Sequence, residues 1–174
     1  MSKDDTVTAE QLIKMFHALP EQVNRASVLA LNRTATFIKR TGAAEISAAH
    51  RFKLKIIRDR IRIIRASRKK LYAFLHCDFT GIRADKLGKP HQTPPGAVAG
   101  GQLFSGAFVA KLNRDKTPGI YRRVTKKRFP VKAERIEIYE EAHKVMQGVC
   151  DGEAQKVFDE RFSHELSRIT GGLL

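Results

Sequence analysis

The residues best equipped for chemistry are six histidines, two cysteines and a scatter of aspartates, and their spacing organises none of them. His17, His50, His76, His91, His143 and His164 show no His-Glu-x-x-His spacing and form no ligand set with Cys77 and Cys150. His76 and Cys77 are adjacent in a predicted strand, where neighbouring side chains point to opposite faces, so they cannot act as nucleophile and base. His143 with Glu140 and Glu141 on a helix offers three metal donors, but a solvated helix face accounts for them more simply. A nuclease needs carboxylates converging beside a lysine; Asp78, Asp85 and Asp115 are available, and nothing in their spacing joins them. The glycine-rich stretch 96–106 lacks the lysine and spacing of a phosphate-binding loop. The reading is therefore no catalysis, no metal and no cofactor, with the two cysteines as small, widely separated thiols.

Charge is the feature that remains. The chain has 174 residues and a net charge of +15, from 33 Lys and Arg against 18 Asp and Glu. Residues 51–70 hold ten bases and one acid, and residues 121–135 hold seven bases and one acid. Those two stretches account for the whole excess, so the other residues together are neutral. Charge confined in this way points to a surface meant for a polyanion or an acidic protein. Arginine outnumbers lysine in 51–70 by six to four, which suits phosphate forks. With no Trp and only three Tyr, stacking on single-stranded bases is not expected, so any DNA contact is read as backbone-only. No apolar run approaches the ~18 residues of a membrane span. The start, Met1–Thr6, lacks a secretory apolar core, so the chain is expected in the cytoplasm or in something assembled there.

The elements that must position these charges read as α+β in a single domain over 1–174. The expectation is long N-terminal helices, a small, mostly antiparallel sheet of three to four strands, and a long C-terminal helix. Thr8 and Gln11 form a capping box for a short first helix ended by Pro20. Glu21 to about Ala49 repeats Val23, Ala26, Ala30, Thr34, Phe37 and Ile38 at helical steps, about 40 Å of helix. Leu54 to Lys70 is read as a basic helix, with Arg58, Arg62, Arg65 and Lys69 in a row; the alternation Arg60-Ile61-Arg62-Ile63 supports a strand instead. Strands are expected at 71–77, 107–112, 120–125 and 129–138, with Pro130 limiting the last to an edge or a beginning. The Gly- and Pro-rich stretch 86–105 reads as a long loop, mobile alone and held by a neighbour. The C-terminal helix spans 139–170, weakened at Gly148 and Gly152 and stopped by Gly171-Gly172.

The order of features, with Ala30-Leu31-Asn32-Arg33-Thr34-Ala35, Gly106-Ala107-Phe108-Val109-Ala110-Lys111-Leu112 and Arg128-Phe129-Pro130-Val131, resembles the prophage minor tail protein Z family. Those are tail-completion proteins of lambda-like and Mu-like tailed phages. The resemblance covers roughly residues 20–170. It implies a virion structural protein at the head–tail junction, made in the host cytoplasm. It further implies a homo-oligomeric ring, six-fold by preference or twelve-fold, around the channel through which DNA leaves. Its implied partners are tail-terminator, head-connector or tape-measure proteins and the phage genomic DNA, with no membrane.

Within that frame the expected contacts to DNA backbone or an acidic partner are Arg58, Arg60, Arg62, Arg65, Arg68, Lys69 and Lys70, with Arg122, Arg123, Lys126, Lys127 and Arg128. Gly106, Phe108, Leu112, Phe129 and Pro130 are the motif residues, with both phenylalanines expected in the core of the sheet. The alternative function is a sequence-nonspecific nucleic-acid-binding protein outside the virion.

Overall fold

The computed structural model describes residues 9–112 and 117–171, with side chains described from Pro20 onward. The architecture is α+β: helix α1 (Ala9–His50), short helix α2 (Leu54–Asp59), ten short strands and helix α3 (Tyr139–Thr170). The strands are β1 (Ile61–Ile64), β2 (Phe74–Cys77), β3 (Ile82–Arg83), β4 (His91–Thr93), β5 (Gly96–Ala99), β6 (Gln102–Ser105), β7 (Phe108–Ala110), β8 (Gly119–Arg123), β9 (Val131–Ala133) and β10 (Arg135–Ile136). They form four small sheets among the described residues, β1-β2, β3-β10, β4-β5-β6 and β7-β8-β9.

The chain divides into two compact units. The first takes the chain through Ile38, then Ile63–Leu75, then the chain from Cys150 onward. Its part of α1 buries Ala26, Ala30, Thr34 and Ile38 at steps of four, with Ala35 beside Thr34, so one narrow stripe of mostly small residues faces inward. Its part of α3 half-buries Phe158 and Phe162, whose rings stack at 5.8 Å, and fully buries Glu165.

The second unit holds 39–62 and 76–149. Its part of α1 buries Gly42, Ala43 and Ile46, and Gly42 lies directly against the sulfur of Met146 on α3. Ala84, Ala97, Ala99, Phe104, Ala107 and Ile120 make a core cluster, with Leu87, Val109 and Ile136 packed on it. Sheet register places Ile82 opposite Ile136 and Phe108 opposite Tyr121.

Four expectations are corrected. Helix α1 runs unbroken through Pro20; proline removes one hydrogen bond at a cost of ~3 kcal/mol, less than long helical runs on both sides hold together. The basic segment is not one helix. Arg60 closes α2 with its N–H on Ile57 O at 3.0 Å, and the isoleucines that follow extend as β1, where alternation and β-branching prevail. The Arg58-Arg62-Arg65-Lys69 row on one helix face therefore does not exist. Residues 86–105 are not a loop but chiefly the β4-β5-β6 sheet, whose strands turn at Pro94-Pro95 and at Gly100-Gly101. Gly100 and Gly101 have φ of +57° and +81°, as a two-residue type I′ turn requires. Finally, Gly148 and Gly152 do not interrupt α3. The 113–119 connection falls largely outside the described residues.

Candidate functional site

Both basic stretches feed β-hairpins. The 65–73 connection between β1 and β2 is shorter than the dozen or more residues of a parallel crossover, so the pair is antiparallel. Within it Ser67 and Lys70 exchange backbone hydrogen bonds of 2.9 Å each, leaving Arg68 and Lys69 at the point of the turn. Arg62, Arg65, Arg68, Lys69 and Lys70 are all exposed. Arg68 lies 3.5 Å from Glu21, while none of the other four has an acidic partner among the described residues.

The expected contact residues do not form one group. Arg58 is exposed on α2. Arg60 is built inward: its guanidinium donates to Asp78 O at 3.1 Å and Thr80 O at 3.0 Å. Asp78 in turn accepts from the Thr80 hydroxyl at 2.7 Å, and this bond, chiefly, holds its carboxyl below the usual range. Arg60 thus braces α2 to the segment after β2.

The hairpin tip is pinned to α1 by amides. Asn32 donates to Ala66 O at 3.1 Å and accepts from Ala66 N at 2.8 Å, so its side chain satisfies both backbone groups as a neighbouring strand would. Asn24 donates to Arg68 O at 3.3 Å. The segment Ala30–Ala35 is accordingly a fastener: small residues packed inward, with Asn32 and Arg33 reaching out to other elements.

Large apolar side chains share this tip. Ile64 is 58%, Leu71 50%, Tyr72 48% and Phe74 57% exposed, and the Tyr72 and Phe74 rings meet edge-on at 5.0 Å. Strand alternation explains two of them: Ile61 and Ile63 turn inward, so Arg62 and Ile64 turn out, and Phe74 and His76 do the same on β2. Sequence reasoning missed this cluster because it read Leu54 to Lys70 as one helix; the Arg60–Ile63 alternation was the available signal.

The second hairpin, β8 to β9, repeats the combination. Lys126, Lys127 and Arg128 are exposed beside Val124, 61% exposed, and Phe129, 60% exposed. Phe129 is therefore not sheet core; the Arg128 guanidinium lies 5.8 Å from its ring centre. Phe108 is half-buried under Arg123, at 5.2 Å, and beside Tyr121, at 6.3 Å. Arg122 is committed to Glu134 at 2.8 and 3.1 Å, which raises its pKa, and Arg123 donates to Arg128 O at 2.8 Å. A shallow cavity of about 420 Å³ runs beside them, lined by Arg122, Arg123, Lys132, Glu134 and Arg135. Gly106, at φ +69°, makes the left-handed link from β6 to β7; Leu112 is half-buried, and Pro130, exposed, follows a cis peptide bond.

The other candidate groups are accounted for locally. Glu141 pairs with His50 at 3.0 Å, His143 stacks on Tyr139, and Asp85 accepts from Arg83 at 2.8 Å. Asp115 lies outside the described residues. Among the described residues no three His, Cys, Asp or Glu side chains gather as a metal site, and no helix is long and apolar enough to cross a membrane.

Neither the curated proteins nor the solved structures contain a match to the chain. A family model does match: that of prophage minor tail protein Z (GPZ), over residues 8–97, just over half of the chain. The match takes in all of α1, with the Ala30–Ala35 fastener, the first basic hairpin and the turn into β5; it stops before Gly106–Leu112 and Arg128–Val131, so the span is shorter at the C-terminal end than the resemblance suggested. On that match the chain belongs to the prophage minor tail protein Z family.

Proposed function

We propose that this chain is a structural subunit of a phage tail, carried in the virion, and that it acts at the head–tail junction. There it completes the tail as a homo-oligomeric ring around the DNA channel, six-fold by preference, and contacts tail-terminator, head-connector or tape-measure proteins. The tail role rests on the family membership. The observation that supports a joining role is the placement of the charge: a chain otherwise neutral carries its +15 in two segments that include both hairpin tips. Such tips suit docking between preformed parts, because localised charge steers encounter and fixes register. Neither tip holds a group poised for bond-breaking, so the reading is of a protein that works by contact and not as an enzyme. The alternative, a nucleic-acid-binding protein outside the particle, uses the same bases but leaves the exposed apolar residues without a purpose.

The test is where the protein goes. Mass spectrometry of purified particles should find it in a few copies per virion, and labelling should place it at the neck. Phage lacking the chain should accumulate filled heads and tails that do not join. Absence from purified particles would overturn the reading.

A further inference from the structure

We infer that the tip of the first hairpin is a protein-docking knob whose partner is an acidic surface bearing an apolar recess, and that it is not a DNA contact. The inference rests on the virion reading and names the kind of partner it needs.

The bases alone do not choose between phosphate and carboxylate. The side chains between them do. A contact to DNA backbone is made by cations and hydrogen-bond donors, and gains nothing from large apolar groups held out in water. Here Ile64, Leu71, Tyr72 and Phe74 are each about half exposed or more, within ten residues of one another, and interleave with Arg65, Lys69 and Lys70. Apolar groups clustered this way mark protein contact sites, and aromatic and arginine side chains are the residues that most often carry protein-interface affinity. Four of the tip's five bases have no acidic partner among the described residues, so the charge is available to an outside acid.

The knob is also held in advance. Asn32 fixes Ala66 through both backbone groups and Asn24 holds Arg68 O, so little ordering is left to be done on binding. The pairing recurs independently on the second hairpin, where Val124 and Phe129 flank Lys126, Lys127 and Arg128.

The experiment uses the full chain, tails of the same phage assembled without it, and two DNA probes, a 20-base-pair duplex and oligo-dT. Two variants are compared with wild type: Tyr72→Ser with Phe74→Ser, and Lys69→Gln with Lys70→Gln. All four positions are exposed, and circular dichroism and the thermal midpoint verify that both variants fold. The expected result is that wild type binds the tails and that each variant binds at least tenfold more weakly. The loss in the charge variant should shrink as salt rises, and that in the aromatic variant should persist. Neither DNA probe should bind the wild type with a steep salt slope.

Unchanged tail binding by the aromatic variant overturns the inference while leaving the virion role standing. DNA binding that the charge variant weakens and the aromatic variant spares overturns it in favour of phosphate contact. Oligo-dT binding lost in the aromatic variant overturns it in favour of base stacking. Failure of wild type to bind tails, with the protein also absent from purified particles, overturns the virion role itself.

Discussion

Arg33 on α1 and Glu165 on α3 form an ion pair at a carboxylate with no exposed surface. Arg168, one turn further along α3, donates to the other carboxylate oxygen from Nε at 3.1 Å and from its terminal nitrogen at 2.7 Å. The two guanidiniums are about half exposed, while the acid is entirely enclosed. The burden of desolvation therefore falls on Glu165, and the arginines keep part of their hydration. That asymmetry makes a prediction. Removing both arginines, by Arg33→Met and Arg168→Met, leaves the buried carboxylate with only His164, at 3.8 Å, beside it and should cost about 3–5 kcal/mol. Glu165→Leu removes the buried charge itself and should cost less than the double variant. Urea unfolding of the three proteins measures the order, and the reverse order would show that the cations are not what allows the acid inside.

The same pair carries a pH dependence. The hydrogen bond from Arg168, and after it the charges of Arg33 and Arg168, hold the Glu165 carboxyl below its usual range against the opposing effect of burial. In the unfolded chain a glutamate titrates near 4.3. The folded state then binds its proton less readily than the unfolded state. The stabilisation is fully present above the unfolded value and is lost as pH falls through the lower, folded one. Wild type should therefore lose stability steeply below about pH 4.3, and Glu165→Gln should lose less over the same interval. Unfolding free energies measured from pH 6 to pH 3 test this, and parallel curves for the two proteins would exclude Glu165 as a source.

Asn32 is the second fastener of the first unit. Asn32→Ala leaves the N–H and C=O of Ala66 without their partner in a buried place, at a cost of about 1–3 kcal/mol. Asn32→Asp keeps the acceptor but loses the donor and sets a carboxylate against the Ala66 carbonyl, so it should cost at least as much. Hydrogen exchange reports the effect directly: the Ala66 amide should be protected in wild type and exchange faster in both variants.

These residues mark how far the chain could be read in advance. The α+β class and the limits of α3 were legible, because a three- and four-residue rhythm runs up to Gly171, which adopts φ +67° at the helix end. The glycines at 148 and 152 face solvent, each costing only about 1 kcal/mol relative to alanine, which the rest of the helix absorbs. What they coincide with instead is a slip in the rhythm: Ala142, Met146 and Val149 are buried, and the next covered position is Ala154, five residues on. The basic segment carried two periods at once, and tertiary pairing of β1 with β2 chose between them. The 86–105 stretch was misread because its glycines and prolines were counted as loop composition rather than placed as turns. Ala97-Val98-Ala99 and Gln102-Leu103-Phe104 flank a Gly-Gly pair, which is a hairpin signal. The basic hairpins were legible as charge but not as surface, since nothing in the composition says that Ile64 and Phe74 point outward. Glu165 left one sign: it occupies the apolar register of Phe158, Phe162 and Ile169, with Arg168 three residues on.

The β5–β6 turn tests whether 86–105 is folded in solution. Gly100 and Gly101 both hold positive φ, so an alanine at either is strained by about 1–2 kcal/mol. Their surroundings differ. A β-carbon on Gly101 meets nothing within 4 Å, whereas one on Gly100 comes to 2.8 Å from Cβ of Leu87 and 3.1 Å from its carbonyl oxygen. Leu87 packs on the core of the second unit and cannot yield without disturbing it. Gly100→Ala should therefore cost about 1–3 kcal/mol more than Gly101→Ala, the range for overpacking, and Gly101→Asn should recover much of the loss because asparagine tolerates the left-handed region. At about 2–4 °C per kcal/mol for a chain of this size, thermal midpoints separate the variants. Equal midpoints for Gly100→Ala and Gly101→Ala would mean that Leu87 does not close on this turn.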